Sequence, residues 1–306
     1  MNQLMRGGNR LPAMNLGLNS QVNTRSLRWT AFFKPILMLN NKGRTGCVII
    51  LFFILMAIFA PIVSPYSPTK VFTPWLPPNA VHWLGTDNYG QDVLSQLLYG
   101  SRASLVVGIL SGLLSGVIGV IVGLASGYLK GIVSEVLMRL VDLLLVIPTL
   151  ALIIIIGAFL PSEGQITQIL VIGGLSWLWM ARSIRSQVMS ERAKGYVEVA
   201  RITGMGRVEI MVREILPNVA SVIVANLVMV ITAAILVQAS LNFLGIGSPN
   251  ALSWGTMLSL GFTDNAIIDG AYWWIVPPGL AIALLGYGFV LIGNAILERF
   301  SQTLEG

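Results

Sequence analysis

Apolar residues in this chain gather into six long runs rather than short alternating stretches. The runs fall at about residues 46–63, 103–128, 136–160, 166–187, 217–246 and 273–297, each close to or above the roughly 20 residues a helix needs to cross a bilayer. Hydrocarbon offers no partner for a backbone N–H or C=O, so runs of this length are read as helices. The pattern predicts an all-α integral membrane protein with six transmembrane helices. As one straight helix the fifth run would reach about 45 Å at 1.5 Å per residue, so tilt, a kink or projection beyond the bilayer is expected there. In the second run Gly108, Gly112 and Gly116, then Gly119, Gly123 and Gly127, recur every four residues within each triplet. Small residues at this spacing let helix backbones approach closely, against another span or a partner subunit.

The polar segments between the runs divide the chain. A basic tail covers 1–45, with a short amphipathic helix expected at about Trp29–Leu39, followed by the first span at 46–64, a Pro-rich loop at 65–101, a membrane core at 102–299 and a C-terminal tail at 300–306. Inside the core, Ser190–Asn218 turns abruptly polar: SERAKGYVEVARITGMGRVEIMVREILPN. Its first part reads as a helix with Ala193, Val197, Ala200 and Gly204 on one face,. Gly204 and Gly206 break that helix, a second amphipathic turn follows through Ile215, and Pro217 halts it or opens the next span,. The predicted shape is an elbow feeding into the membrane.

Composition sharpens this. The chain is 55% hydrophobic and 10% charged, against roughly 25% charged in soluble domains. Its net charge of +6 would suggest nucleic acid in a soluble protein, but the cations are placed by topology instead. Seven Lys or Arg and no acid lie in residues 1–44, and seven more between Arg182 and Arg213. With both termini cytoplasmic, 17 basic residues fall inside and only Lys70 and Arg102 outside, which is the orientation the positive-inside rule selects. The elbow is then cytoplasmic. Trp75, Trp83, Trp254, Tyr272, Trp273 and Trp274 gather at the opposite edge, as an interfacial aromatic belt would,.

Candidate chemistry is sparse. No G-x-x-x-x-G-K-[ST], H-E-x-x-H or G-x-S-x-G occurs, His82 is the only histidine and Cys47 the only cysteine. The chain is therefore expected to have no catalytic residues, no metal site, no disulfide and no bound cofactor. Asp142 is the one acid well inside an apolar run, with Arg139 three residues before it; a structural salt bridge or a role in gating are the two readings. Asn226, Gln238 and Asn242, with Thr232, dot the fifth run and could face a central passage, or bond between helices,. Glu198 and Arg201 sit three apart, as a solvated helix pair would,.

Glu198-Val199-Ala200, Gly204 and Leu216-Pro217 resemble the EAA loop of bacterial ABC importer permeases. Residues 82–105, HWLGTDNYGQDVLSQLLYGSRASL, are similar to the signature of the C-type permease in the oligopeptide and dipeptide branch. Arg139, Asp142, Pro148, Thr149, the Phe243-Leu-Gly-Ile-Gly block, Ser253–Leu258, Trp273-Trp274 and Pro278-Gly279 extend the likeness over about residues 46–297. Gln91, Gly195, Gln238 and Asn294 depart from it, standing where the branch usually has Arg, an acid, Glu and Asp.

The resemblance implies the type I importer permease fold, with 190–217 as a cytoplasmic coupling loop. Ala193, Val197, Glu198, Ala200, Arg201, Gly204, Leu216 and Pro217 would then couple to an ATPase. It further implies a homologous second permease, two ATPase subunits that hold ATP and Mg, and an extracytoplasmic substrate-binding protein, assembled in a bacterial or archaeal plasma membrane around peptide cargo. Nickel or an oligosaccharide is the alternative cargo. An ion-coupled transporter or channel is the alternative class.

Overall fold

A computed structural model of the chain describes residues 40–159, 164–247 and 251–304, with side chains through Glu298. Residues 1–39 of the basic tail, with the helix expected at Trp29–Leu39, lie outside the described residues, while its last residues already belong to the first helix, which starts at Asn41. Among those described, the structure is helical, with only two isolated β-bridges.

Helix α1 (Asn41–Val63) is followed by the folded loop 64–92 and by α2 (Val93–Tyr128). α2 starts ten residues ahead of its apolar run, because the Asp92 carboxylate caps it by accepting the Ser95 N–H at 2.8 Å,. Next come α3 (Ile132–Val146), α4 (Thr149–Phe159), α5 (Gln165–Leu175) and α6 (Leu178–Arg192). The elbow holds α7 (Gly195–Ile202) and α8 (Arg207–Ile210), and a π turn (Met211–Ile215) joins α8 to α9 (Leu216–Phe243). The chain ends with α10 (Trp254–Thr263) and α11 (Tyr272–Leu304).

Four stretches are long and apolar enough to cross a membrane unaided: α1, α2, the continuous helix Arg207–Phe243, and α11 through Glu298. The third apolar run is α3 and α4, bent by 88°. Pro148 explains the bend, since its ring excludes the helical conformation at the residue before it, and Ile147 is extended at ψ 129°,. Counted as one span, the bent pair gives a fifth. The fourth run is split at Ser176–Trp177 into α5 and α6, so among the described residues length and composition give four or five spans where the apolar runs suggested six. The fifth run is longer than expected: Pro217 stands in the first turn of α9 and opens it, but the π turn joins α9 to α8, so the helical stretch runs from Arg207.

α2 is the spine of the fold, and its glycines set the packing. Cβ atoms at Gly108, Gly112 and Gly116 would strike Ile235, Ile231 and Leu227 in turn, so α9 runs antiparallel against that half of the row. Gly119, Gly123 and Gly127 instead receive Met180, Ile184 and Val188, so α6 runs parallel along the other half. The row therefore serves two helices of the same chain, each docking bulky side chains where α2 has none. α1 closes on α11, where Gly46 lies against the Gly288 carbonyl and Lys42 pairs with Glu298 at 3.0 Å.

Loop 64–92 folds down onto the start of α2. His82 and Asp92 are buried and bonded at 2.9 Å, with Tyr66 and Phe72 against the imidazole. Trp273 donates to the Thr86 carbonyl at 3.2 Å, and Trp75 meets Trp274 edge to face. Of the residues expected in an aromatic belt, Trp83 and Tyr272 are exposed, whereas Trp254 and Trp274 are fully buried core residues. Trp254 is held there by its indole N–H, which donates to the Leu97 carbonyl at 3.0 Å.

Candidate coupling site

The elbow is built from the end of α6 outward. α6 stops at Arg192, and Ala193 caps it in a turn, so Ala193 does not share a helix with Val197 and Ala200. Glu191 anchors the corner. Its buried carboxylate accepts from Lys194 Nζ at 2.6 Å and from the Tyr196 hydroxyl at 2.8 Å. Burial, together with the neighbouring Glu191 charge, pushes the Tyr196 hydroxyl well above its ordinary pKa, so it stays a donor,. Glu191 was not singled out in the sequence; its three-residue spacing from Lys194 was the available signal.

α7 then lies across the end of the bundle. Val197 and Ala200 face inward and are buried with Val188, Ile210, Ile215 and Tyr128. The expected small-residue docking stripe is thus corrected: half of it is the subunit's own core. Small side chains are needed there because α7 packs tightly over that cluster. The outward face carries Glu198, Val199, Arg201 and Ile202 instead. Ile202 is 81% exposed, and Val199 and Val208 are 61% and 67% exposed. Sequence reasoning did not single out Val199, Ile202 or Val208 as docking residues.

Two hydrogen bonds close the turn after α7, from Gly204 N–H to the Arg201 carbonyl and from Met205 N–H to the Ala200 carbonyl. Gly204 adopts φ +83°, open to glycine and strained for other residues,. A Cβ there would meet nothing within 4 Å, so backbone conformation, rather than space, fixes the residue. Leu216 and Pro217 are half-buried where the elbow enters α9. Glu198 and Arg201 form no ion pair with each other; Arg201 lies over the Tyr128 ring, 5.7 Å from its centroid.

Residues 119–306 match the binding-protein-dependent transport system inner membrane component family, and residues 37–89 match the N-terminal TM domain of oligopeptide transport permease C. The chain belongs to the binding-protein-dependent transport permeases. It is a multi-pass inner membrane protein. The dipeptide transport system permease protein DppC of Escherichia coli is 40% identical to this permease over 279 residues, 87% of this chain and 90% of that one. The oligopeptide transport system permease protein OppC of Bacillus subtilis is 32% identical over 269 residues, 87% of each. The di/tripeptide permease of Pseudomonas aeruginosa is 34% identical over 276 residues, 87% of this chain and 90% of that one.

The polar residues of α9 separate once placed in the permease. Asn226 is half-buried and donates to Ser183 Oγ at 3.1 Å and to the Val222 carbonyl at 2.8 Å. Asn242 is buried in a clasp between helices, accepting from Gln168 at 2.6 Å and donating to Ser253 Oγ at 2.8 Å. Gln238 is fully buried, with neither amide atom bonded among the described residues. Asn242 thus bonds between helices, Gln238 is enclosed by the subunit's own packing, and only Asn226 retains partial exposure. Asp142 pairs with Arg182 of α6, while Arg139 takes Glu135 at 2.6 Å, so the salt bridge expected with Arg139 is replaced by a link between helices.

Proposed function

We propose that this permease is one of two homologous membrane subunits of an ATP-driven importer for di- or oligopeptides, docked through its elbow on an ATPase. The observation that carries this reading is the outward face of the elbow. Val199, Ile202 and Val208 are large, apolar and exposed on a charged segment that α6 and α9 hold rigidly at both ends. Isolated exposed apolar residues are ordinary, but a cluster rimmed by Glu198 and Arg201 is what a docking helix presents to a partner groove. Peptide cargo rests on the dipeptide and oligopeptide names of relatives that align over most of their length.

In this reading two ATPase subunits hold ATP and Mg, and an extracytoplasmic binding protein delivers peptide at the face of loop 64–92. Both termini and the elbow are cytoplasmic, in accord with the placement of the basic residues. Closure of the ATPases moves the elbow, and the α2 spine carries that motion to both helices packed on its glycine row. Nucleotide shifts the equilibrium only by favouring the ATPase arrangement that the docked elbow senses. Glu198, Arg201, Gly204, Leu216 and Pro217 act in docking and its rigidity, and Val197 and Ala200 support the helix from beneath.

Reconstituted uptake tests the proposal. Peptide uptake into proteoliposomes is expected to require ATP, the ATPase subunits and the binding protein. Glu198→Lys, or Gly204 replaced by a bulky residue, is expected to leave ATP hydrolysis running while uptake falls. Uptake driven by an ion gradient without an ATPase would overturn it, and normal uptake in both variants would remove the elbow from coupling.

A further inference from the structure

A cavity of about 610 Å³ opens beneath the elbow turn, where α2 and α6 end. Four cations from four separate elements line it: Lys130 after α2, Arg192 at the end of α6, Arg201 on α7 and Arg207 at the start of α8. No acidic residue contributes to its wall. Among the described residues none of the four forms an ion pair, although Arg139, Arg182, Lys194 and Arg213 in neighbouring segments each have a carboxylate. Arg192 is held in place by the Gly127 and Tyr128 carbonyls at 3.3 and 3.0 Å, and Arg201 by the Tyr128 ring. Like charges converging without counter-charge repel one another, and an anion between them relieves that repulsion through charge-assisted hydrogen bonds.

The surroundings indicate which anion. Val133 belongs both to the cavity wall and to α3, whose residues Ile132, Val136, Leu140 and Leu143 continue away from the cavity as an apolar stripe exposed by 48–79%. A soluble phosphate compound has no use for that stripe. An amphiphile uses both surfaces.

We propose that this cavity binds the phosphate of an anionic phospholipid among Lys130, Arg192, Arg201 and Arg207, with an acyl chain along α3. The lipid bridges α2, α6 and the elbow, so the elbow's position depends on the membrane leaflet beside it. The proposal does not depend on cargo; it shares Arg201 with the proposed docking face, so its test is placed on Lys130 and Arg207, which that face does not use.

The test is native mass spectrometry of the permease, purified with its accompanying subunits and titrated with phosphatidylglycerol or phosphatidylcholine. Phosphatidylglycerol is expected to remain bound and phosphatidylcholine to be lost. K130Q/R207Q is expected to weaken phosphatidylglycerol roughly 25-fold, at about fivefold per charge removed. K130R/R207K, which keeps both charges, is expected to bind as the original does and separates charge loss from misfolding. Equal retention of the two lipids, or unchanged affinity in K130Q/R207Q, would overturn the site. Displacement of phosphatidylglycerol by millimolar inorganic phosphate or ATP alone would overturn the lipid source in favour of a soluble anion.

Discussion

Loop 64–92 and the elbow both interrupt a hydrophobic chain with polar residues, yet they resolve their polarity in opposite ways. The loop turns its two acids and its histidine inward and bonds them: His82 with Asp92, and Asp87 with the Tyr89 and Gln91 N–H groups and the Gln96 amide. The elbow buries Glu191 as its single such anchor, points Val199, Ile202 and Val208 outward, and leaves the four cations of its cavity without an ion pair among the described residues. The density of charged residues therefore does not mark a partner surface. What distinguishes the elbow is chemistry left unmet within the chain.

The largest expected effect lies in the loop. Asp92→Ala removes the cap of α2 and the partner of buried His82, and is expected to cost about 2–4 kcal/mol, read as a lower unfolding temperature of the solubilised protein. A value near zero would mean that the loop is no more committed to its own packing than the elbow. Next comes the spine that joins the two regions. Gly112→Leu drives a side chain into the Ile231 backbone, whose Cα lies 2.7 Å from the position of a Cβ, and is expected to cost about 1–3 kcal/mol.

The third prediction sharpens the contrast directly. Ile202→Asp, on the exposed face, is expected to change stability by less than about 0.5 kcal/mol while reconstituted uptake falls severalfold. Loss of folding in that variant would place Ile202 in the core. The smallest effect is one of pH. Burial, with a further contribution from Asp264, raises the Asp87 pKa in the folded protein despite its hydrogen bonds. The folded state then holds that proton more tightly than the unfolded state. Its contribution favours folding below the ordinary carboxylate pKa and is lost as pH rises through the window up to the raised value. Asp87→Asn is expected to flatten this slope in thermal unfolding across mild acid.

Much of the architecture was legible in the sequence, because hydrocarbon forces long apolar runs into helices. The elbow's helix, glycine turn and second helix were legible for the same kind of reason, since Gly204 and Gly206 interrupt a clear period. Which face of α7 points inward was not. Val197 and Ala200 on one side and Val199 and Ile202 on the other are all apolar, and periodicity defines faces without saying which is covered. The glycine row announced close packing but not its partners, which change from α9 to α6 between Gly116 and Gly119. Asp142 bonded beyond its own helix, and local spacing carries no information about Arg182 forty residues away. Pro148 sits in the most hydrophobic part of the chain, where composition masked a right-angled bend.

The π turn before α9 carries one residue more than regular winding allows, with the Leu216 N–H reaching back to the Met211 carbonyl. Pro217, next in the chain, has no N–H to give and its ring crowds the carbonyl four residues earlier, so the wide turn lies where a tight one would clash. One residue of helix corresponds to about 100° of rotation. Pro217 therefore works as an angular index: it sets the direction in which the elbow faces relative to the span behind it, and a chain that rewound this turn into regular helix would aim the same elbow at a different quarter of the compass.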